Sequence, residues 1–389
     1  MTTALQVAGL FAGIGGIERG LGRAGHHAEL LCEIDPGAQA VLRARFPEVP
    51  VVSDITRLRS LPAVDLVAAG FPCQDLSQAG LTAGIDGDRS GLVDHVFRLI
   101  DIARPPSWLM LENVPFMLQL HGGRAMRHLT DRLEQLGYRW AYRVVDARAF
   151  GRPQRRLRVI LLASRTEDPR PVLFGQDAGE PETGDPYQRA CGFYWTEGVR
   201  GLGWAVDATP TLKGGSTIGI ASPPGVWFPT SGDIVTPSIR DAERLQGFPA
   251  NWTRPALDVP KVRPGHRWKL VGNAVSVPVA GWVGRRLLTS EHYVTSDAER
   301  DLDLQRGWPT AAWGESGIHR EVRISTWPER RRYLHLADFL REPQPLSLRA
   351  AAGFLRRART GKLRFVEGFL DDVHEHITRV GGDALAAVS

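Results

Sequence analysis

Apolar positions in the first 165 residues fall into short runs separated by stretches of helical period. LQVAGLF (5–11), HAELLCEID (27–35), AVDLVAAGF (63–71), SWLMLENV (107–114), YRWAYRVVDA (138–147) and LRVILLAS (157–164) read as strands. Between them lie IERGLGRAG, a helix ending at Gly25, and PGAQAVLRARF, a helix with proline in its first turn. HVFRLIDIA (95–103) and the amphipathic RAMRHLTDRLEQLG (124–137) are two more helices. Strands alternating with helices predict an α/β fold with a doubly wound, mostly parallel sheet. Ligands of such sheets sit beyond the carboxyl ends of the strands.

The pattern changes after Ser164. Residues 165–235 are rich in Pro, Gly, Thr and aromatics with little regular period, which predicts a smaller, irregular or β-rich domain. Helical period returns in SIRDAERLQGF (238–248) and VPVAGWVGRRLL (277–288). In the tail, 365–377 places Phe365, Phe369, Leu370, Val373 and Ile377 on one helical face. The expected division is a catalytic domain of 1–165 with 268–290, a second domain of 166–267, and a basic, partly helical extension of 291–389.

Composition adds limits. A hydrophobic share of 43% is ordinary for a globular chain. No apolar run approaches the ~18 residues of a membrane span. The amino-terminal stretch lacks a basic region and reads as a strand and loop, not a signal peptide, so a cytoplasmic protein is expected. The three cysteines, Cys32, Cys73 and Cys191, have neither metal-ligand spacing nor partners for a disulfide framework. No metal is expected. The net charge is +5, carried almost wholly by arginine; the lysines are Lys213, Lys261, Lys269 and Lys362. Arginine suits phosphates and base edges, although GC-rich codon usage produces the same bias. Residues 320–364 carry twelve Lys/Arg against four Asp/Glu.

The chemistry-bearing residues cluster at strand ends. LFAGIGGIERGL sets Gly13, Gly15 and Gly16 between a strand and a helix, where the backbone can approach a ligand. Glu18 occupies the third glycine position of the dinucleotide fingerprint and would repel a pyrophosphate, so NAD is disfavoured. A ligand with an amino-acid end, such as S-adenosylmethionine, fits better. Glu33 and Asp35 close the next strand, placed for ribose hydroxyls, and Asp54 follows. Cys73, between Pro72 and Gln74 in GFPCQDLSQAG, sits at an element boundary as reactive thiols do, whereas Cys32 lies inside an apolar run. Gly80, Gly84, Gly87 and Gly91 follow it, as in a mobile lid. Glu112 ends the fourth strand. Arg156 and Arg158, two apart in RPQRRLR, would enter the crevice on one face. Taken singly, each has a bland reading: a tight turn, a core thiol, a helix cap, an edge-strand arginine.

Together and in order, FAGIGG, the acidic end after Cys32, SDIT (53–56), GFPCQ, ENV (112–114), RPQRRLR and GNAVSVPVA (272–280) resemble the cytosine-5 DNA methyltransferase family. The resemblance covers roughly 5–165 and 238–288. It implies a Rossmann-like, S-adenosylmethionine-dependent fold and transfer of a methyl group to carbon 5 of a flipped cytosine in duplex DNA. Phe11, Ile14 and the glycines would shape the cofactor pocket. Glu33 would hold its ribose and Asp54 its adenine, beside Ile34 and Ile55. Pro72 and Leu92 would line the site, and Asn273 and Val275 would close it. Cys73 would be the nucleophile, Glu112 would bind the cytosine's N3 and amine, and Arg158 its O2. Ile34 departs from the aromatic that often stacks on adenine, and Ala274 from a frequent serine.

Target reading would lie between RPQRRLR and ATPTLKGG (208–215). There Tyr187, Phe193, Tyr194 and Trp195 interleave with Arg189 and Arg200, which suits DNA contact or a small core. Gln74, Ser77, Arg189, Arg200 and Lys213 are the candidate DNA contacts, with 216–235 and the basic tail as supplements. A monomer is expected, with a cognate restriction endonuclease or other defence proteins as possible partners. An RNA cytosine-5 methyltransferase and an inactive DNA-binding homologue are the rival readings.

Overall fold

The computed structural model describes residues 3–71, 91–102, 104–214, 221–289, 293 and 298–386. Eight strands precede residue 165: β1 (Gln6–Leu10), β2 (His27–Cys32), β3 (Val51–Val52), β4 (Leu66–Ala69), β5 (Trp108–Asn113), β6 (Arg139–Asp146), β7 (Gln154–Arg155) and β8 (Leu157–Ser164). All the strands read from the pattern are present. The two-residue β3 and β7 are additional, each too short to carry a period. The middle region supplies β9 (Cys191–Phe193), β10 (Ala205–Val206), β11 (Thr209–Pro210), β12 (Gly225–Phe228) and β13 (Asp233–Thr236). The tail adds β14 (Glu299–Asp301), β15 (Ala311–Glu315), β16 (Ile318–Val322) and β17 (Gln344–Pro345).

One ten-stranded sheet runs β14-β16-β15-β6-β8-β5-β4-β1-β2-β3. Its β5-to-β3 half is parallel, as expected. From β5 through β8, β6 and β15 to β14 every pairing is antiparallel, so the sheet is mixed. The central strands are buried on both faces. Ala8, Leu10, Val67 and Leu111 pack beneath helices Leu92–Ile100 and Arg124–Gln135. On the other face Val7, Leu66 and Met110 meet Ile17 and Leu21 of helix Gly16–Gly22 and Val279 and Val283 of helix Val277–Leu287.

The middle region forms a second, five-stranded antiparallel sheet, β10-β9-β12-β13-β17. Its core is not closed by residues 166–267 alone. Helices Leu348–Thr360 and Phe369–Ala386 cover it, bringing Phe354, Phe369 and Val373 onto Phe193, Trp227 and Ile234. The Phe193 ring lies 5.1 Å from Phe369 and 5.2 Å from Phe354. Asp372 accepts the Trp227 indole N–H at 2.7 Å. The tail is therefore not a separate extension. Residues 299–322 lengthen the large sheet, and 344–386 complete the small domain. The sequence division missed this because neither half of the small core is recognisable without the other. The face of Phe365, Phe369, Leu370, Val373 and Ile377 is the one that packs inward.

Candidate active site

The strand-end motifs converge on a cavity of about 680 Å³ beyond the carboxyl ends of the parallel strands. After β1 the chain turns sharply, with φ values of 54° at Phe11 and 80° at Gly15. Gly16 is needed for another reason: a Cβ there would lie 2.3 Å from the Val275 carbonyl oxygen. The turn is tied down by Glu33, whose carboxylate accepts from Gly13 N and Asp35 N, each at 2.8 Å. Burial nevertheless holds the Glu33 carboxyl above its usual range. Phe11, Gly13, Glu33, Ile34, Asp54, Ile55, Leu92 and Asn273 all line the cavity. Asp54 accepts from Thr56 N and Oγ1 at 2.9 and 2.7 Å.

Ile14, Gly15, Gly16 and Val275 shape the site without lining it. Ile14 is turned into a core with Leu245 and Val271, and Val275 fills the space between Gly16 and Gly70. Sequence reasoning missed Trp252, which fastens the loop from outside: its indole donates to the Ile14 carbonyl at 2.8 Å. The guanidinium of Arg19 lies 4.4 Å from its ring. Sequence reasoning named Asp35 but missed the two residues that hold it, His266 and the cavity-lining Lys269. Asp35 caps the helix Pro36–Arg45 and contacts His266 Nε2 at 2.9 Å and Lys269 Nζ at 3.4 Å. Burial opposes ionisation of Asp35, but His266, the Ala38 N–H and Lys269 outweigh it and keep the carboxyl below its usual range.

At the other end of the cavity, β8 runs antiparallel to β5 with Glu112 opposite Ile160. Residues two apart share a face, so Arg158 lies diagonal to Glu112 on its side. Arg158 Nε stands 2.9 Å from Glu112 Oε1, and both side chains are nearly buried. Asn113 fixes this strand end by donating to the Phe71 carbonyl at 3.0 Å. Arg156 borders the same cavity as Arg158. It precedes β8 and is fully enclosed, donating to the carbonyls of Gly272 at 3.3 Å and Ala274 at 2.7 Å. It is a positioning residue that binds the late motif to the catalytic strand, because a buried guanidinium must find acceptors.

Pro72, Cys73, Gln74 and Ser77 lie outside the described residues; Phe71, just before them, lines the cavity. The other two thiols are core residues: burial pushes Cys32 and Cys191 each up to about 12. Among the DNA candidates, Arg200 is exposed and Arg189 half-buried. Lys213 is paired with Glu197, its ammonium 3.6 Å from the centre of the Tyr194 ring. Of the aromatics, Phe193 is buried, Tyr194 donates to Thr211 O, and Trp195 donates to Pro223 O. They build the small core, and Tyr187 remains exposed.

Residues 5–186 match the profile of the C-5 cytosine-specific DNA methylase family. The Type II methyltransferase M2.BsuMI of Bacillus subtilis (strain 168) is 51% identical over 380 residues, spanning 95% of this chain and 97% of that protein. The chain belongs to the C-5 cytosine-specific DNA methylase family. M.MspI of Moraxella sp, also a Type II methyltransferase, is 28% identical over 300 residues, 72% of this chain and 69% of that one. The solved structure of the S. pombe Dnmt2 methyltransferase shares the fold, with a TM-score of 0.54 at 18% identity over 73% of this chain and 98% of that one. This methylase is thus an enzyme of the methyl-transferring α/β class. No helix among its described residues is long and apolar enough to cross a membrane.

Proposed function

We propose that this methylase transfers a methyl group from S-adenosylmethionine to carbon 5 of a cytosine flipped out of a specific duplex DNA sequence, with Cys73 as nucleophile. The observation that carries the reading is the buried Glu112–Arg158 pair at one end of a cavity whose other walls are Phe11, Glu33, Asp54 and Asn273. Those walls fit the cofactor: backbone N–H groups and a carboxylate at the glycine turn, a second carboxylate at Asp54, and apolar side chains of Phe11, Ile55 and Leu92. The cofactor supplies an electrophilic methyl group on sulfur when bound.

The chain's own residues do the rest. The Cys73 thiolate adds to carbon 6 of the ring and makes carbon 5 nucleophilic. Glu112 donates a hydrogen bond or proton to N3 and takes up the negative charge that develops there. Arg158 orients Glu112 and offers its guanidinium to the base's O2. Once carbon 5 carries the methyl group, a base removes its proton, the 5,6 double bond re-forms and the thiolate leaves. A base stacked in the duplex cannot reach this site, so it must be extruded. M2.BsuMI is named a Type II methyltransferase, and the resemblance to it supports service of this chain as a modification enzyme beside a restriction endonuclease.

Bisulfite sequencing of DNA from cells making the protein should reveal methylcytosine in one sequence context. Duplex DNA, and not total tRNA, should accept label from the methyl donor. Parent enzyme should form a stable adduct with DNA carrying 5-fluorocytosine at that position. An adduct in Cys73→Ser would remove Cys73 from its role.

A further inference from the structure

The two tail helices that complete the small domain are electrically unlike. Residues 343–366 contain Arg349, Arg356, Arg357, Arg359, Lys362 and Arg364 and no Asp or Glu, whereas helix Phe369–Ala386 begins with Asp371 and Asp372. In helix Leu348–Thr360, Ala350, Ala351, Phe354, Leu355 and Ala358 form the buried face. At 100° per residue, Arg349, Arg356 and Arg359 fall within an arc of about 80° on the opposite side. These three, with Lys362 and Arg364 beyond the helix, are exposed. None forms an ion pair with a described residue, although most arginines elsewhere near carboxylates do. A face that only needed solvation would gain from interspersed acids; this one repels itself.

Its placement gives the charge a use. Arg357, at the edge of the stripe, donates to the carbonyls of Trp195 at 2.6 Å and Glu197 at 3.2 Å. Gly361 packs so closely on Gly198 and Val199 that a Cβ would lie 2.8 Å from the Gly198 oxygen. The same loop holds Lys213 through Glu197. Gly214, next in the chain, abuts Asn273 and Lys269 of the cavity wall. A continuous line of contacts therefore runs from the active-site cavity across loop 195–201 to the basic helix, with exposed Arg200 on the way.

We propose that the Arg349–Arg356–Arg359–Lys362 face is a docking surface for the phosphate backbone of duplex DNA flanking the target. This deepens the proposed function and rests on it. The face carries cations and no base-reading geometry, so it adds affinity without sequence choice. Arg349 and Arg359 are ~15 Å apart along the helix axis, a span that matches several successive phosphates of one strand.

The test is the variant Arg349→Gln/Arg356→Gln/Arg359→Gln/Lys362→Gln in the full chain. These side chains have no ion-pair or hydrogen-bond partner to lose among the described residues, and an unchanged melting temperature confirms the fold. Duplex binding is measured against salt for target and unrelated sequences, with methyl transfer measured at saturating DNA. Each lost phosphate contact lowers the slope of log K against log salt by about 0.9. With four contacts removed we expect a slope shallower by about 3.6, equal weakening on both duplexes, and an unchanged turnover rate. An unchanged slope overturns the proposal, as does weakening confined to the target duplex. If the parent enzyme fails to methylate duplex DNA at all, the proposed function falls instead, and the two failures are read separately.

Discussion

Glu18 shows how a residue can be read correctly for one purpose and still conceal its physics. In the sequence it argues against a pyrophosphate ligand. In the structure it is buried beneath the cofactor loop, both carboxylate oxygens lack a hydrogen-bond partner among the described residues, and burial pushes its pKa from 4.5 to about 7. Below the ordinary value the carboxyl is protonated whether the chain is folded or not, and costs nothing. As pH rises from 4.5 to 7 the unfolded chain gives up this proton while the folded chain keeps it, so stability falls. Above 7 both are ionised and the loss levels off at roughly 3 kcal/mol. Glu18→Gln removes this dependence. Its stability advantage over the parent, read from urea midpoints, should grow between pH 5 and pH 7 and then stay constant; a gap independent of pH would refute the burial argument. Ile34 carries a second residue-scale prediction. It is 72% exposed at the cavity wall, where an aromatic ring would stack on the cofactor's adenine. Ile34→Trp should tighten S-adenosylmethionine by about 2- to 12-fold, the equivalent of 0.5–1.5 kcal/mol. Calorimetry showing equal or weaker binding would take Ile34 out of the adenine contact.

Between elements, the decisive contact is helix Gly16–Gly22 against helix Val277–Leu287, since it joins the first motif to the last. A Cβ on Gly20 would stand 2.5 Å from Ala280 Cβ and 2.6 Å from the Val277 oxygen. The obstacle includes backbone, which cannot swing aside. Gly20→Ala should therefore cost about 1–3 kcal/mol and weaken cofactor binding, because the glycine turn rides on this helix. Gly22, two residues on, has nothing within 4 Å of its Cβ position. Gly22→Ala should be neutral or stabilising by up to ~1 kcal/mol. Equal urea midpoints for the two variants would contradict the close approach. This level also shows where sequence was sufficient. The parallel strands and their helices were legible because each is a local apolar period, and the cavity wall because its residues end those strands. The acceptors of Arg156 were not foreseen because spacing tells which face a side chain leaves from, not which groups it reaches. The Gly272 and Ala274 carbonyls that claim it are more than a hundred residues away. The same blindness hid Trp252 and the Asp35–His266 contact.

At the scale of the molecule, the tail was the largest misreading, and it has the most direct consequence. Read from composition, 291–389 is a basic appendage that could be removed to test its part in DNA binding. In space it is shared between both sheets. β17 pairs with β13, and Leu346, Phe354 and Phe369 seal a core whose other half is Cys191, Phe193, Trp227 and Ile234. A chain ending at residue 343 would leave those four side chains facing water. Losing the Phe369 contacts alone is worth about 3–5 kcal/mol, a large part of a domain's whole stability. Such a truncation should bind a hydrophobic dye, melt earlier and lose duplex affinity even for target DNA at low salt. The charge-neutralised helix of the full chain should instead keep its melting temperature and show a deficit in duplex affinity that is largest at low salt and narrows as salt rises. The pair of measurements separates the two roles of one segment: apolar residues facing in hold the small domain together, and cations facing out act on the substrate. If the truncated chain kept both its melting temperature and its salt slope, the small domain would be complete without the tail and both roles would fall together.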